Sequence, residues 1–291
     1  MTSENLYLHA TRAAEQVVHE LAIRAFPIDP IVIARGRQIE VVAKPAGVAG
    51  VSGMFMRLGE RYAIAYATHI DNPGFQRFSI AHELGHYYLP GHIDAVLGGR
   101  DIHESRAGFT SGDRYELEAD HFAAGLLMPS DPFSAALRRA GEGLAAIERL
   151  ASLCQTSLTA TAIRFTQCSR DPVAVVVSTA GRIDYCFMSD PLTDVDGIDW
   201  IRKRQAVPNG TYTFALNRDA NKVRSGARVQ GASNLQEWFG GRRSIQLIED
   251  VVGLGSYGKT LTVLHTIEIP DEEEERDDES LLESWTPRFR R

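Results

Sequence analysis

The sequence predicts an α+β protein, and three observations carry that prediction. Apolar side chains recur at helical spacing through most of the first 170 residues. Between residues 38 and 67, runs of strand character interrupt the helices and imply a small three-stranded sheet. From Pro172 onward the period changes to two. These features divide the 291 residues into a helical domain with its small sheet (1–135), a helix-turn-helix-like connector (136–170), an α/β domain (171–270) and an acidic linker with a C-terminal tail (271–291).

Taken in order, Leu6, Ala10, Ala14, Val17, Val18 and Leu21 mark an amphipathic helix over residues 6–25, ended by Pro27. Asp29-Pro30 opens a short helix that Gly36 closes. Strands follow at Gln38–Ala43, Ser52–Leu58 and Arg61–Ala67, the last two joined by a tight turn at Gly59-Glu60. The next helix has Asn72 as its N-cap, Pro73 in its first turn and Pro90-Gly91 as its stop. It carries His82, Glu83 and His86, the pattern H-E-x-x-H.

Residues four apart on a helix lie one above the other, with Cβ atoms roughly 5–6 Å apart. Two imidazoles so placed can converge on one zinc ion at ~2.0–2.1 Å. Glu83, one position round, is near enough to take a proton from a hydrolytic water without displacing it. A third ligand must come from elsewhere, and there are two candidates. Glu116 lies in a second helix, Tyr115 to Met128, that Pro129 ends; Asp120, four residues on, could accept the free N–H of a ligand histidine. His92 instead gives three histidines the spacing of H-E-x-x-H-x-x-G-x-x-H, but Leu89 stands where that pattern has its turning glycine. Glu116 is preferred. Glu118 and His121 are read as solvated. A two-histidine, one-carboxylate set also accepts manganese or iron. Gly85 inside the first motif implies a close approach of the second helix. Asp94–Arg114, polar and glycine-rich, reads as a mobile loop over the cleft, with His103-Glu104 solvated.

Phe78-Ser79-Ile80-Ala81-His82-Glu83-Leu84-Gly85-His86, with Glu116-x-x-Ala119-Asp120-x-Phe122-Ala123-x-x-Leu126-Leu127-Met128-Pro129 some thirty residues later, resembles the ImmA/IrrE family of metallo-endopeptidases. The resemblance covers roughly residues 5 to 135. It implies a zincin-like layout, zinc held by His82, His86 and Glu116, and Glu83 as catalytic base. It also implies a helix-turn-helix transcriptional repressor as substrate, cut in a stress or mobile-element response. Asp120 stands where many members have Asn. Candidates for stabilising the oxyanion are Tyr87, Tyr115 and His92.

Beyond Pro132, two short helices broken at Gln155-Thr156-Ser157 form the connector. A DNA-reading helix needs several basic side chains facing the groove, and residues 157–168 offer Arg164 alone. Direct nucleic-acid binding is therefore not expected. Farther on, strands are expected at Val173–Ser178, Arg182–Met188, Thr211–Ala215, Arg243–Ile248 and Thr260–Ile269, with a turn at Ala180-Gly181 and a short helix near Ser233–Phe239. This part resembles a GAF-like domain, which implies a small ligand or an association role. Gly253 to Thr260 matches G-x-x-x-x-G-K-T, yet the strand pattern after it lacks the helix N-terminus that phosphate binding needs.

Composition sets the remaining bounds. With 44% apolar and 24% charged residues the chain is of ordinary globular type. No apolar run of spanning length occurs, so no membrane partner is expected. Met1 to Leu6 lacks the features of a secretory signal, and three scattered cysteines fit a reducing compartment, so the expected location is cytoplasmic. The net charge of −7 resides in residues 271–279, which hold eight acids and one base; without them acids and bases balance. The leading reading is a zinc endopeptidase. Its rival is a DNA-binding or ligand-sensing regulator whose metal site is structural.

Overall fold

The computed structural model describes residues 3–44, 51–69, 71–106, 113–241 and 244–266. The acidic linker and tail expected at 271–291 lie outside the described residues. Two compact units emerge, one drawn from Met1–Arg170 with Phe187–Asp190 and the other from Asp171–Cys186 with Pro191–Arg291.

In the first unit, α1 (Ser3–Glu20) and α2 (Pro30–Gly36) precede β1 (Glu40–Lys44), β2 (Gly53–Leu58) and β3 (Arg61–Ala67). Asp29 caps α2, accepting from the Ile31 N–H. The chain continues through α3 (Pro73–Tyr88), α4 (His92–Leu97), β4 (Ile102–Ser105), α5 (Arg114–Leu127), α6 (Ser130–Ala140), α7 (Gly143–Cys154) and α8 (Leu158–Cys168). The sheet has four strands, in the order β1-β3-β2-β4, not the three expected. β4 arises inside the stretch read as a mobile loop, as does most of α4. Gly98 and Gly99, both at positive φ, turn the chain out of α4. Backbone pairing to β2, from Gly53↔Ser105 to Met56↔Ile102, then holds a segment whose composition resembles a loop. Tertiary pairing overrides local propensity here.

α3 and α5 pack side by side. A Cβ on Gly85 would lie 3.0 Å from the Cα of Ala119, so only glycine lets the two backbones come this close. On its other flank, α5 meets α1 at Gly125, where a Cβ would lie 2.9 Å from the carbonyl of Thr11. Ala10, Ala14, Phe122, Leu126 and Leu127 fill the core around these contacts. Apolar burial of this kind, at ~25 cal/mol per Å², is the main stabilisation of the unit. Ser157 caps α8 as expected, accepting from the Ala160 N–H. Arg164 is buried: it donates to the Met128 carbonyl at 2.8 Å, to Glu15 at 3.0 Å and to the Ser130 hydroxyl at 2.9 Å. The single base of that helix thus ties the connector to α1 and α6.

The second unit is built on a five-stranded sheet in the order β6-β5-β9-β8-β7, from β5 (Val173–Thr179), β6 (Arg182–Met188), β7 (Arg228–Asn234), β8 (Gln246–Gly253) and β9 (Lys259–Thr266). Ala180 and Gly181, both at positive φ, make the turn between β5 and β6. The strand expected at Thr211–Ala215 is instead a helix, Tyr212–Asn217. Thr211 caps it, accepting from the Phe214 N–H, and Thr213 donates to the buried Glu249 at 2.6 Å. Capping and a buried acceptor outweigh the β-propensity of Thr-Tyr-Thr-Phe. β7 replaces the start of the helix expected near Ser233, which begins only at Leu235. The glycine-rich stretch ends directly in β9, and Lys259 pairs with Asp184 at 2.8 Å. No helix N-terminus follows that loop.

Candidate metal centre

The site forms where α3, α5 and β4 meet. α3 starts where the sequence places it, with Asn72 accepting from the Phe75 N–H at 3.0 Å and Pro73 in the first turn. Its third and fourth turns carry His82, Glu83 and His86, all fully buried. Asp113 caps α5 by accepting from the Tyr115 and Glu116 N–H groups, which sets Glu116 in the first turn of the helix.

His82 and His86 point their Nε2 atoms at each other, 3.1 Å apart. Glu116 closes the group, with Oε2 3.5 Å from His82 Nε2 and Oε1 3.3 Å from His86 Nε2. Among the described residues these three side chains form the cluster able to share a cation, their ligand atoms all within 4.8 Å of one another.

The outward-facing nitrogens show why the rings are turned this way. His82 Nδ1 meets Asp120 Oδ1 at 2.8 Å. Because a carboxylate only accepts, Nδ1 is the donor and Nε2 is left facing the cluster. His86 Nδ1 meets His92 Nδ1 at 3.2 Å, while His92 Nε2 donates to Glu118 at 3.0 Å and Arg114 Nε donates to the same carboxylate at 2.5 Å. The outer partners therefore direct both Nε2 atoms and a carboxylate toward one point. Two imidazole nitrogens and a carboxylate around one point are the donor set of a divalent cation, so the residues fit the group that the H-E-x-x-H pattern implies.

Electrostatics agree. Burial pulls the His82 imidazole down, but Asp120 and Glu116 outweigh it and push it up to about 10. Burial pulls His86 down to about 3. Burial favours the neutral form of Glu116, yet His103, His82 and His86 hold its carboxyl well below the usual range. The carboxylates of Asp120 and Glu116 thus favour a positive charge at the imidazole between them.

Glu83 lies beside the cluster on the β2 side. Neither of its oxygens meets a hydrogen-bond partner among the described residues. Burial pushes its carboxyl up to about 7, partly offset by His82 and by the Ser105 hydroxyl, whose placement falls short of a proper hydrogen bond. A cleft of about 580 Å³ is lined by His103, Tyr115 and Glu116 among others.

Several expectations change. His92 approaches His86 from the side facing away from the cluster, and both of its ring nitrogens are engaged, so it is neither the third ligand nor a free oxyanion donor. Glu118 is buried against His92 and Arg114 rather than solvated, because the turn of α5 carries it beneath α4. His121, also read as solvated, is half-buried, and desolvation pulls its imidazole down to about 4. Tyr87 packs its ring edge-on against Tyr62 and Tyr88, whereas Tyr115 packs edge-on against His92 and reaches the cleft wall. His103 meets Glu116 Oε1 at 2.9 Å instead of standing in solvent. The only sequence signal for it was the alternation Ile-His-Glu-Ser, too short to stand out.

Comparison with known proteins agrees with this geometry. Residues 34–166 match the family model of the peptidase M78 group, described as the IrrE N-terminal-like domain. Over 144 residues the chain is 31% identical to the radiation response metalloprotease IrrE of Deinococcus radiodurans, a span of 47% of this chain and 43% of that protein. The match thus spans less than half of the relative's length. In fold, the chain is similar to a Mycobacterium tuberculosis transcriptional regulator, with a TM-score of 0.57 and 17% identity over 89% of this chain and 88% of the other. His82, Glu83, His86 and Glu116 all fall inside residues 34–166, the stretch of this chain that is similar to the IrrE N-terminal-like domain.

Proposed function

We propose that this protein is a zinc-dependent endopeptidase whose substrate is a helix-turn-helix transcriptional repressor. The observation that carries the reading is Glu83, a buried carboxylate with no hydrogen-bond partner among the described residues, set against the convergent cluster of His82, His86 and Glu116. When bound there, zinc would supply Lewis acidity, polarising the scissile carbonyl and bringing the pKa of water toward ~7.

The chain's own groups do the rest. Asp120 and His92 hold the two imidazoles in the orientation that ligation requires. Glu83, with its carboxyl near neutrality, takes the proton of the attacking water and passes it to the departing amine. Tyr115, on the cleft wall, is the candidate donor to the developing oxyanion. β4 forms one edge of its sheet beside this cleft, and an extended substrate segment can add to it as a further strand. The repressor as substrate rests on the family resemblance and on the relative's description as a radiation response metalloprotease. A GAF-like role for the second unit, with a small ligand, belongs to the same proposal. Among the described residues no helix is long and apolar enough to cross a membrane.

The test is mass spectrometry of helix-turn-helix repressors encoded near its gene, each incubated with the protein and zinc, manganese or iron. One defined cleavage is expected, lost in Glu83→Gln while zinc binding persists. Equal cleavage by Glu83→Gln, or intact repressors with every ion, would overturn the reading.

A further inference from the structure

Both oxygens of Glu116 face the imidazole pair, Oε2 toward His82 and Oε1 toward His86. A carboxylate so placed can grip a cation through one oxygen or through two. Gripping through both would fill the coordination place that hydrolysis needs to keep open. The two oxygens differ in their surroundings: Oε1 also receives a hydrogen bond from His103 Nε2 at 2.9 Å.

His103 is not itself a member of the ligand cluster. It reaches Glu116 from β4, where alternation along the strand turns His103 and Ser105 toward the two site carboxylates and leaves Ile102 and Glu104 facing out. Its position is fixed by the sheet. His103 pairs with Phe55, and the Ser105 carbonyl accepts from both the Ser52 N–H at 3.0 Å and the Ser52 hydroxyl at 3.1 Å. The imidazole is therefore held by a rigid element rather than by a loop.

We propose that His103 is a positioning residue that sets how Glu116 binds the cation. By donating to Oε1 it holds that oxygen back, so that Glu116 ligates through Oε2 alone and one coordination place stays open. This rests on reading His82, His86 and Glu116 as a metal centre.

The test uses the full chain, stripped by chelation and reloaded with cobalt(II), whose visible bands are strong in four-coordinate and weak in five-coordinate sites. His103→Ala is expected to keep one bound cobalt but lose most of the band intensity, as Glu116 takes a second bond. His103→Gln, whose amide N–H can reach the same oxygen, should recover it. Should the alanine variant not fold, His103→Phe keeps the bulk without the donor and carries the same expectation. Unchanged bands in a cobalt-loaded variant lacking the donor, or no recovery in His103→Gln, would overturn the proposal. Glu116→Ala separates the two levels: if it binds cobalt with parental affinity and bands, the metal-centre reading itself fails, whatever His103 does.

Discussion

Gly53 of β2 lies against the carboxylate of Glu83, so close that a Cβ at position 53 would collide with Oε1. The strand backbone is thus the wall behind the buried carboxylate. Gly53→Ala is expected to push Glu83 out of place, ending the proposed peptide hydrolysis while His82, His86 and Glu116 keep their affinity for zinc. Overpacking of this kind costs about 1–3 kcal/mol, which thermal denaturation will register. Full activity in the variant would show that the placement of Glu83 does not matter.

Asp120 and His92 each hold one imidazole of the candidate ligand cluster from behind. Removing such a partner typically costs ~10–100-fold in metal affinity. Asp120→Ala and His92→Ala should each show a loss of that order in competition with a chromophoric chelator. Asp120→Asn keeps an acceptor oxygen and should fall between Asp120→Ala and the parent.

Metal removal should be visible as a loss of stability. A ligand at a hundredfold excess over its Kd stabilises the folded state by about 2.7 kcal/mol. Zinc is therefore expected to raise the Tm of the first unit by several degrees over the chelated protein. Glu116→Ala should show little of that rise. A Tm indifferent to zinc in the parent would speak against the centre.

Arg164 joins α8 to α1 and α6 through Glu15 and Ser130 and to the end of α5 through Met128. Arg164→Ala removes charged hydrogen bonds worth about 1.5–3 kcal/mol each and is expected to destabilise the first unit on that scale. Glu15 retains some solvent contact, which places the expected loss at the low end. Urea denaturation at constant m-value is the measurement, and an unchanged midpoint would contradict the structural role given to Arg164.

What could be read from the sequence and what could not divide along a physical line. Asn72-Pro73 and Ser157 announce helix starts through hydrogen bonds to their own neighbours, and β3 runs over Arg61–Ala67 as its alternation indicates. Gly85 foretells the close contact with α5, because a missing side chain inside a helix calls for a neighbour there. Thr211–Ala215 went the other way: intrinsic strand preference lost to a cap and to a buried carboxylate brought in from Glu249.

The sequence by itself determined the helices that carry the candidate ligands: H-E-x-x-H acts at a spacing of four, and a helix fixes what four residues apart means. Glu116 and Asp120 could be nominated for the same reason. Only the tertiary structure decided the roles of His92, His103 and Glu118. Their partners lie 6, 13 and 26 residues away in sequence, on separate elements. No local periodicity encodes such distances; they come from the pairing of β4 with β2 and from the packing of α5 against α3 and α4.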